Sequence, residues 1–323
     1  MLLALAVKES AVVVPIAIAL WVASEPGICD PGRAAIRAGA GHALALLVGL
    51  AALLALPAYR GLVGTSLATR GPVENLVAQI DAIGFLAGQL VRFDQLNADP
   101  ALEALTRLDP ARALAGAAIV AVLLAALTGL RRWPLPAFAV LWTFVWLAPT
   151  NSLVARLDLV NDRQLYAALL GPALLVAWSG DALMRRGVPA RLRSITRVLV
   201  VAGLALGLGL ATHRRNDVYR DELVFWQDVT RKSPHNARGF NNLGFAWAEQ
   251  CRLDEAELAW RRALALDPGL VRAAVNLRLL EEGAGQAERC RATAGRSAAE
   301  RESRRNPPTS SRPLSRPRRS PPP

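Results

Sequence analysis

The chain alternates long apolar runs with short polar stretches until about residue 212, and then changes character. Apolar runs cover Leu2–Val22, Ala40–Leu56, Ala111–Leu130, Leu135–Leu147, Leu165–Met184 and Ile195–Thr212. Most are long enough for a helix to cross a bilayer, and the pattern predicts about six spans. The first run is interrupted by Lys8, Glu9 and Ser10; the fourth carries Trp142 and Trp146. Its internal charges and the lack of a small-residue cleavage site set the first run apart from a signal peptide. Residues 57–109 read as a long loop. Within it, residues 73–93 place Leu76, Ile80, Ile83, Leu86 and Leu90 against Glu74, Gln79, Asp81 and Gln89 at helical spacing. That pattern predicts a helix lying in the membrane interface.

Beyond His213 the pattern becomes that of soluble amphipathic helices. Pro234 and Pro268 lie thirty-four residues apart. Between them Phe240, Leu243, Gly244 and Trp247 share one face of a first helix, and Ala256, Trp260 and Ala263 share one face of a second. Trp226 precedes Trp260 by the same period, and Leu277 follows Leu243 by it. These positions resemble the tetratricopeptide (TPR) repeat, a helical hairpin whose small residues let two helices cross closely. The expectation is one full repeat with a half-repeat on each side, built to pack or to bind a protein or peptide, with Phe240, Leu243, Gly244, Trp247, Ala256, Trp260, Ala263 and Pro268 as its structural and partner-facing positions. After Leu280 the chain is rich in Arg, Ser and Pro and cannot bury a core, which predicts a disordered tail. The fold class expected is therefore all-α: a polytopic membrane domain over 1–212, a TPR domain over 213–288 and a disordered tail over 289–323.

Composition sharpens this. Hydrophobic residues make up 53% of the 323, and mean hydropathy is +0.26, too apolar for an ordinary soluble protein. The net charge of +12 does not indicate nucleic-acid binding. Residues 289–323 hold ten arginines against Glu300 and Glu302, Lys8 and Lys232 are the only lysines, and no base-reading motif is present. The histidines His42, His213 and His235 are scattered, and Cys29, Cys251 and Cys290 lack metal-ligand spacing, so no metal site is expected. Cys251 and Cys290 read as two free thiols, with a bridge in an oxidising compartment as the alternative.

Arginine distribution predicts orientation. Alternate connections hold Arg33, Arg37, Arg131, Arg132, Arg185, Arg186, Arg191, Arg193 and Arg197 against only Glu25 and Asp30, and this side is expected to be cytoplasmic. The 57–109 and 149–164 segments and the TPR hairpin are then extracytoplasmic, with a bacterial inner membrane as the expected location.

Charges inside apolar spans cost about 2.5–3.5 kcal/mol each and are usually functional or paired, which singles out Lys8 and Glu9. The loop from Pro149 to Tyr166 adds Arg156, Asp158, Asn161, Asp162, Arg163 and Gln164. An arginine at a membrane boundary can hold a phosphate as a bidentate fork.

Several of these stretches occur in the order found in one family. Lys8-Glu9-Ser10, then Leu96-Asn97-Ala98-Asp99-Pro100, then Pro149-Thr150-Asn151, then Asp162-Arg163-Gln164-Leu165-Tyr166, followed directly by TPR positions, resemble the transmembrane and TPR-containing O-mannosyltransferase-like family of type-C glycosyltransferases. The resemblance covers roughly residues 1–282. It implies a multi-spanning transferase that takes a polyprenyl-phosphate sugar as donor and glycosylates a protein hydroxyl on the outer face. Arg163 and Lys8 would contact the lipid phosphate, and Glu9, Asp162 and Tyr166 would line the donor cavity. An acidic residue would deprotonate the acceptor hydroxyl, and a divalent or protein cation would stabilise the departing phosphate. In that family the catalytic acid lies in an outer loop before the Lys-Glu span. No such acidic pair precedes Lys8, so the catalytic residue is unassigned and the chain is expected to be a fragment or catalytically incomplete. The alternative is a non-catalytic, membrane-anchored TPR adaptor that recruits an extracytoplasmic protein.

Overall fold

A computed structural model describes residues 12–25, 27–105, 107–151, 155–156, 158–285 and 288–290. Lys8, Glu9 and nearly all of the basic tail lie outside these residues. The described residues form helices and connecting turns, with no strand among them. They divide into two compact units, Met1–His235 and Asn236–Pro323.

In the first unit, prolines open most of the helices. They stand at the start of α2 (Pro31–Ala55), α3 (Pro57–Thr69), α4 (Pro72–Gln89), α5 (Pro110–Gly129) and α6 (Pro134–Leu147), which follow α1 (Val14–Ser24). At the first helical position proline loses no hydrogen bond and its φ is already helical. Aspartates finish two of these starts. The Asp30 carboxylate accepts from the Arg33 amide and Asp109 from the Arg112 amide, at 3.1 and 2.8 Å.

The rest of the unit comprises a short turn of helix α7 (Leu165–Ala168), α8 (Leu170–Gly187), α9 (Ala190–Val218) and α10 (Glu222–Lys232). Helices α2, α5 and α9 are long and apolar enough to cross a membrane. A fourth span results if the Asp162–Ala168 and Leu170–Gly187 pair, bent by 54°, crosses as one. The described part of α1 and all of α6 are apolar but shorter, so six full spans are not what the described residues present. The three long helices bury almost none of their apolar surface within the protein, as lipid-facing helices must. These helices make this a membrane protein.

Two further expectations change. Residues 57–109 are not a long loop, because Pro57 starts the helix α3 instead of ending one. Helix α4 forms as the periodicity predicts, but its buried stripe is Asn75, Ala78, Gln79, Ala82, Leu86 and Gln89, while Leu76 on the predicted apolar face is exposed. Gln79 faces inward onto a partner: Asn151 donates to its side-chain carbonyl at 2.7 Å. Ala78, Ala82 and Leu86 share a core with Leu147, Leu159, Val160 and Ala168.

Close helix approach depends on small residues, as in membrane proteins generally. Gly171 lies where α8 meets α6, and a Cβ there would overlap the Ala139 carbonyl and the Thr143 hydroxyl. Trp142 ties α6 to the short helix α7 just before α8 by donating to the Ala167 carbonyl at 2.9 Å.

The second unit is a TPR-like array of α11 (Ala237–Glu249), α12 (Leu253–Leu266) and α13 (Val271–Glu281). Asn236 caps α11 by accepting from the Gly239 amide. Leu243, Gly244, Ala256, Trp260 and Ala263 are buried, and Trp260 packs with Ala248 and Ala256 against Trp247, Leu277 and Leu280. Gly244 has no room for a side chain, since a Cβ would stand 2.6 Å from the Trp260 indole nitrogen. That nitrogen donates to the Asn241 carbonyl at 3.0 Å. Arg262 lies over Phe240 and Arg252 over Trp247, the latter 4.0 Å from the ring centre. Pro268 lies exposed in the turn after α12.

The two thiols expected to be free are joined: Cys251 and Cys290 form a disulfide with their Cα atoms 5.5 Å apart, leaving Cys29 free and exposed. Cys251 has φ of 59°, the left-handed conformation glycine favours. It closes α11 as a Schellman turn, its amide donating to Ala248 and the Arg252 amide to Trp247. The covalent partner explains why a residue with a side chain occupies this position.

Trp260→Ala is expected to cost about 3–5 kcal/mol, the range for truncating a buried aromatic, and to lower the melting midpoint of the second unit. Gly244→Ala should do the same by forcing the indole out of its hydrogen bond. A melt unchanged in either variant would contradict the packing described.

Candidate functional site

The loop that follows α6 and the chain on either side of α10 meet in the first unit. Asp162, Arg163 and Gln164 form a single 3-10 turn leading into α7. The turn sorts its side chains. Asp162 is turned in and three-quarters buried, while Arg163 is exposed and Tyr166 is 88% exposed. Arg163 belongs to the 3-10 turn and Tyr166 to α7 directly after it, and both are exposed to solvent. The sequence resemblance grouped all three; the structure separates Asp162 from the other two.

Asp162 faces a charge cluster that sequence reading did not single out. The Arg215 guanidinium, near the end of α9, lies 4.0 Å from the Asp162 carboxylate and 2.6 Å from that of Asp228 on α10. Asp228, only 5% exposed, also receives Lys232 at 2.8 Å and Arg231 at 2.5 Å. Lys232 reaches further, donating to the Leu96 carbonyl at 2.7 Å, and Asn97 beside it donates to the Ser233 hydroxyl at 2.7 Å. The Leu96–Pro100 stretch is thereby pinned to the end of α10. Burial pushes the Asp228 carboxyl up; the hydrogen bonds from Lys232, Arg215 and Arg231 outweigh it and leave Asp228 below its ordinary value.

Behind Asp162 lies Gln89, the last residue of α4, 4% exposed. Burial pushes the Asp162 carboxyl up, and the Gln89 amide and the Arg215 charge oppose this only in part; the Gln89–Asp162 contact falls short of well-formed hydrogen-bond geometry. Among the described residues, the Asn161 side-chain oxygen, both amide atoms of Gln164 and the indole nitrogen of Trp146 likewise complete no hydrogen bond. Trp146 and Leu165 pack on the core that contains Leu86, Leu159 and Val160. By contrast Asn151 of the Pro149-Thr150-Asn151 stretch is occupied, donating to Gln79 and accepting from Thr150 at 2.8 Å. Its role is to hold the loop on α4.

No group of three or more His, Cys, Asp or Glu residues arranged to hold a metal occurs among the described residues. Divalent cations of the magnesium or calcium kind take several oxygen ligands. Here Asp228 is saturated by cations, and Asp162 offers one open oxygen beside Arg215. The donor set of this cluster does not fit a divalent cation.

No protein-family model matches the chain, and no solved structure matches it. Over 137 residues it is 28% identical to a Drosophila melanogaster protein named Protein O-mannosyl-transferase Tmtc3. The match takes in 42% of this chain and 15% of the length of that relative.

Because Asp228 is held below its ordinary value, its contribution to stability is present above the unfolded carboxylate pKa of about 3.9. It is lost as pH falls through the folded value. Acid melts of the membrane-reconstituted chain should show a loss of stability below about pH 4 that Asp228→Asn lacks. At neutral pH Asp228→Ala should cost about 3 kcal/mol, because it leaves buried cations unpaired.

Proposed function

We propose that the chain is the membrane portion of a protein O-glycosyltransferase of the mannosyl-transferring kind, using a polyprenyl-phosphate sugar as donor. The observation that carries this reading is the 3-10 turn at 162–164, which presents an exposed Arg163 guanidinium beside a part-buried Asp162 carboxyl with an open oxygen. The partial similarity to a protein named as an O-mannosyl-transferase supports it.

In this reading Arg163 forks onto the lipid phosphate, a role suited to its planar pair of donors. Tyr166, exposed in the helix directly after it, flanks it. Asp162 is held in place by the cluster around Arg215 and lines the donor side of the site. Lys8 and Glu9 remain proposed contributors from the first span. The residue that deprotonates the acceptor hydroxyl is unassigned. The TPR-like hairpin would hold a protein or peptide acceptor near the outer membrane surface. Its placement on that side draws support from the Cys251–Cys290 disulfide, since such bonds persist in oxidising compartments, and from the arginine-rich short connections that favour the opposite side.

The adaptor reading shares the membrane anchor and the hairpin but not the donor site, and binding decides between them. The full chain in lipid nanodiscs should bind polyprenyl phosphate, and Arg163→Ala should weaken binding at least tenfold, about 1.4 kcal/mol. Retained binding in that variant removes Arg163 from the site; absent binding in the wild type favours the adaptor. For the topology, Cys251 and Cys290 should resist maleimide in intact cells until a reductant is added from outside. Labelling without reductant would oppose an oxidised, outward-facing hairpin.

A further inference from the structure

At the Pro134 end of α6, away from the end that leads to the 162–164 turn, lies a cavity between two helical turns. Helix α1 ends at Ser24 and α2 starts at Pro31; α5 ends at Gly129 and α6 starts at Pro134. The connections joining these two pairs come together because α1 packs on both α2 and α6, and α5 packs on α6. The Trp21 and Phe138 rings meet edge to face between α1 and α6, 5.5 Å apart at their centres. The cavity has a volume of about 270 Å³, and its lining includes Ser24, Glu25, Ile28, Cys29, Leu130 and Arg131. That size suits a group smaller than a drug-sized ligand.

Its charges single it out. Neighbouring charges on the same connections are committed: Asp30 pairs with Arg33, and Arg132 lies over the Trp133 ring. Glu25 and Arg131 line the one cavity, yet each lies beyond ion-pair distance of the other and of every other charged side chain among the described residues. A simple anion would meet Arg131 but be repelled by Glu25, and a simple cation the reverse. A neutral ligand would leave both charges unanswered. A ligand carrying both signs a few bonds apart answers both. The surroundings say where it comes from. Helices α2 and α5 are apolar and bury almost none of their surface in the protein, and Ile28 and Leu130 place apolar groups in the cavity wall. The cavity therefore opens among lipid headgroups. A phosphate suits the planar fork of an arginine. A primary ammonium brings three donors, for which the Glu25 carboxylate and the Ser24 oxygen are acceptors, the Ser24 proton being given to the Trp21 carbonyl at 2.8 Å. A quaternary ammonium has no such donors. We propose that this cavity binds the phosphoethanolamine headgroup of a membrane phospholipid, with Arg131 on the phosphate and Glu25 and Ser24 on the ammonium. The site stands apart from the transferase reading and does not depend on it.

Cys29 reports on the site directly. It lines the cavity, is exposed, and is the thiol left free by the Cys251–Cys290 bridge. The test measures the rate at which maleimide alkylates Cys29 in the full, oxidised chain, in phosphatidylcholine nanodiscs carrying increasing amounts of phosphatidylethanolamine or phosphatidylglycerol. Phosphatidylethanolamine should slow the alkylation. Arg131→Gln and Glu25→Gln should each weaken that protection about tenfold, the factor for one lost charge-assisted hydrogen bond. Arg132→Gln, one position away, should keep the protection, which separates loss of the headgroup contact from loss of fold or of surface charge. Absence of protection by phosphatidylethanolamine, or protection unchanged in both cavity variants, overturns the proposal. Equal protection by phosphatidylglycerol that survives Glu25→Gln overturns it in favour of an anion site. Protection by soluble glycerophosphoethanolamine without protection by the lipid overturns the membrane source.

Discussion

Three cations converge on the carboxylate of Asp228, and much of the first unit's polar architecture is arranged around that convergence. Arg215 comes from the end of a long apolar helix, Lys232 and Arg231 from α10 itself. Removing a carboxylate from water is costly, and the attraction offsets this only when the geometry is good and the remaining donors are used. Here they are: Lys232 spends a second donor on Leu96, and Arg215 lies over the Tyr219 ring. The consequence reaches beyond stability. Arg215 stands between the two aspartates, committed to Asp228 at short range and to Asp162 only at 4.0 Å. Asp162 therefore feels a positive neighbour without being consumed by it.

Much of the fold was legible because the bilayer and the repeat each impose one dominant period. Apolar runs of span length had only the helix available to them, and the thirty-four-residue spacing placed Gly244 against Trp260. What misled was local. Residues 57–109 were expected to form a long loop, whereas Pro57 starts a helix; proline at the first helical position and proline in a loop look alike without the neighbouring chain. Helix α4 was rotated in expectation because hydrophobic periodicity assigns polar residues outward, whereas Asn75, Gln79 and Gln89 are turned toward the interior. No pattern within one helix announces that Asn151, far along the chain, will be there to pair with Gln79.

The site was half legible for the same reason. Asp162 and Arg163 drew notice because charges stand out at the edge of an apolar run. Arg215, Asp228 and Lys232 drew none. They belong to separate segments joined only by folding, and Lys232 registered merely as one of two lysines. A hint did exist: Asp228 and Lys232 are four apart on one helix, the spacing of a helical ion pair, though such pairs are usually solvent-facing. The Cys251–Cys290 bridge was likewise open in the sequence, where cysteine spacing alone could not choose between thiols and a bond. The backbone decides it, placing the two Cα atoms within bonding reach.

That bridge also alters how the hairpin would carry a load. Residues 251 and 290 are joined across thirty-nine positions that include all of α12 and α13. Tension applied between the membrane-proximal end of the hairpin and any partner gripping the chain beyond Cys290 would pass through the sulfur atoms. Helices α12 and α13 would sit in a slack loop and only α11 would lie in series with the pull. Under oxidising conditions most of the repeat is then mechanically silent, and its packing would outlast forces that would unravel an unbridged array of the same length.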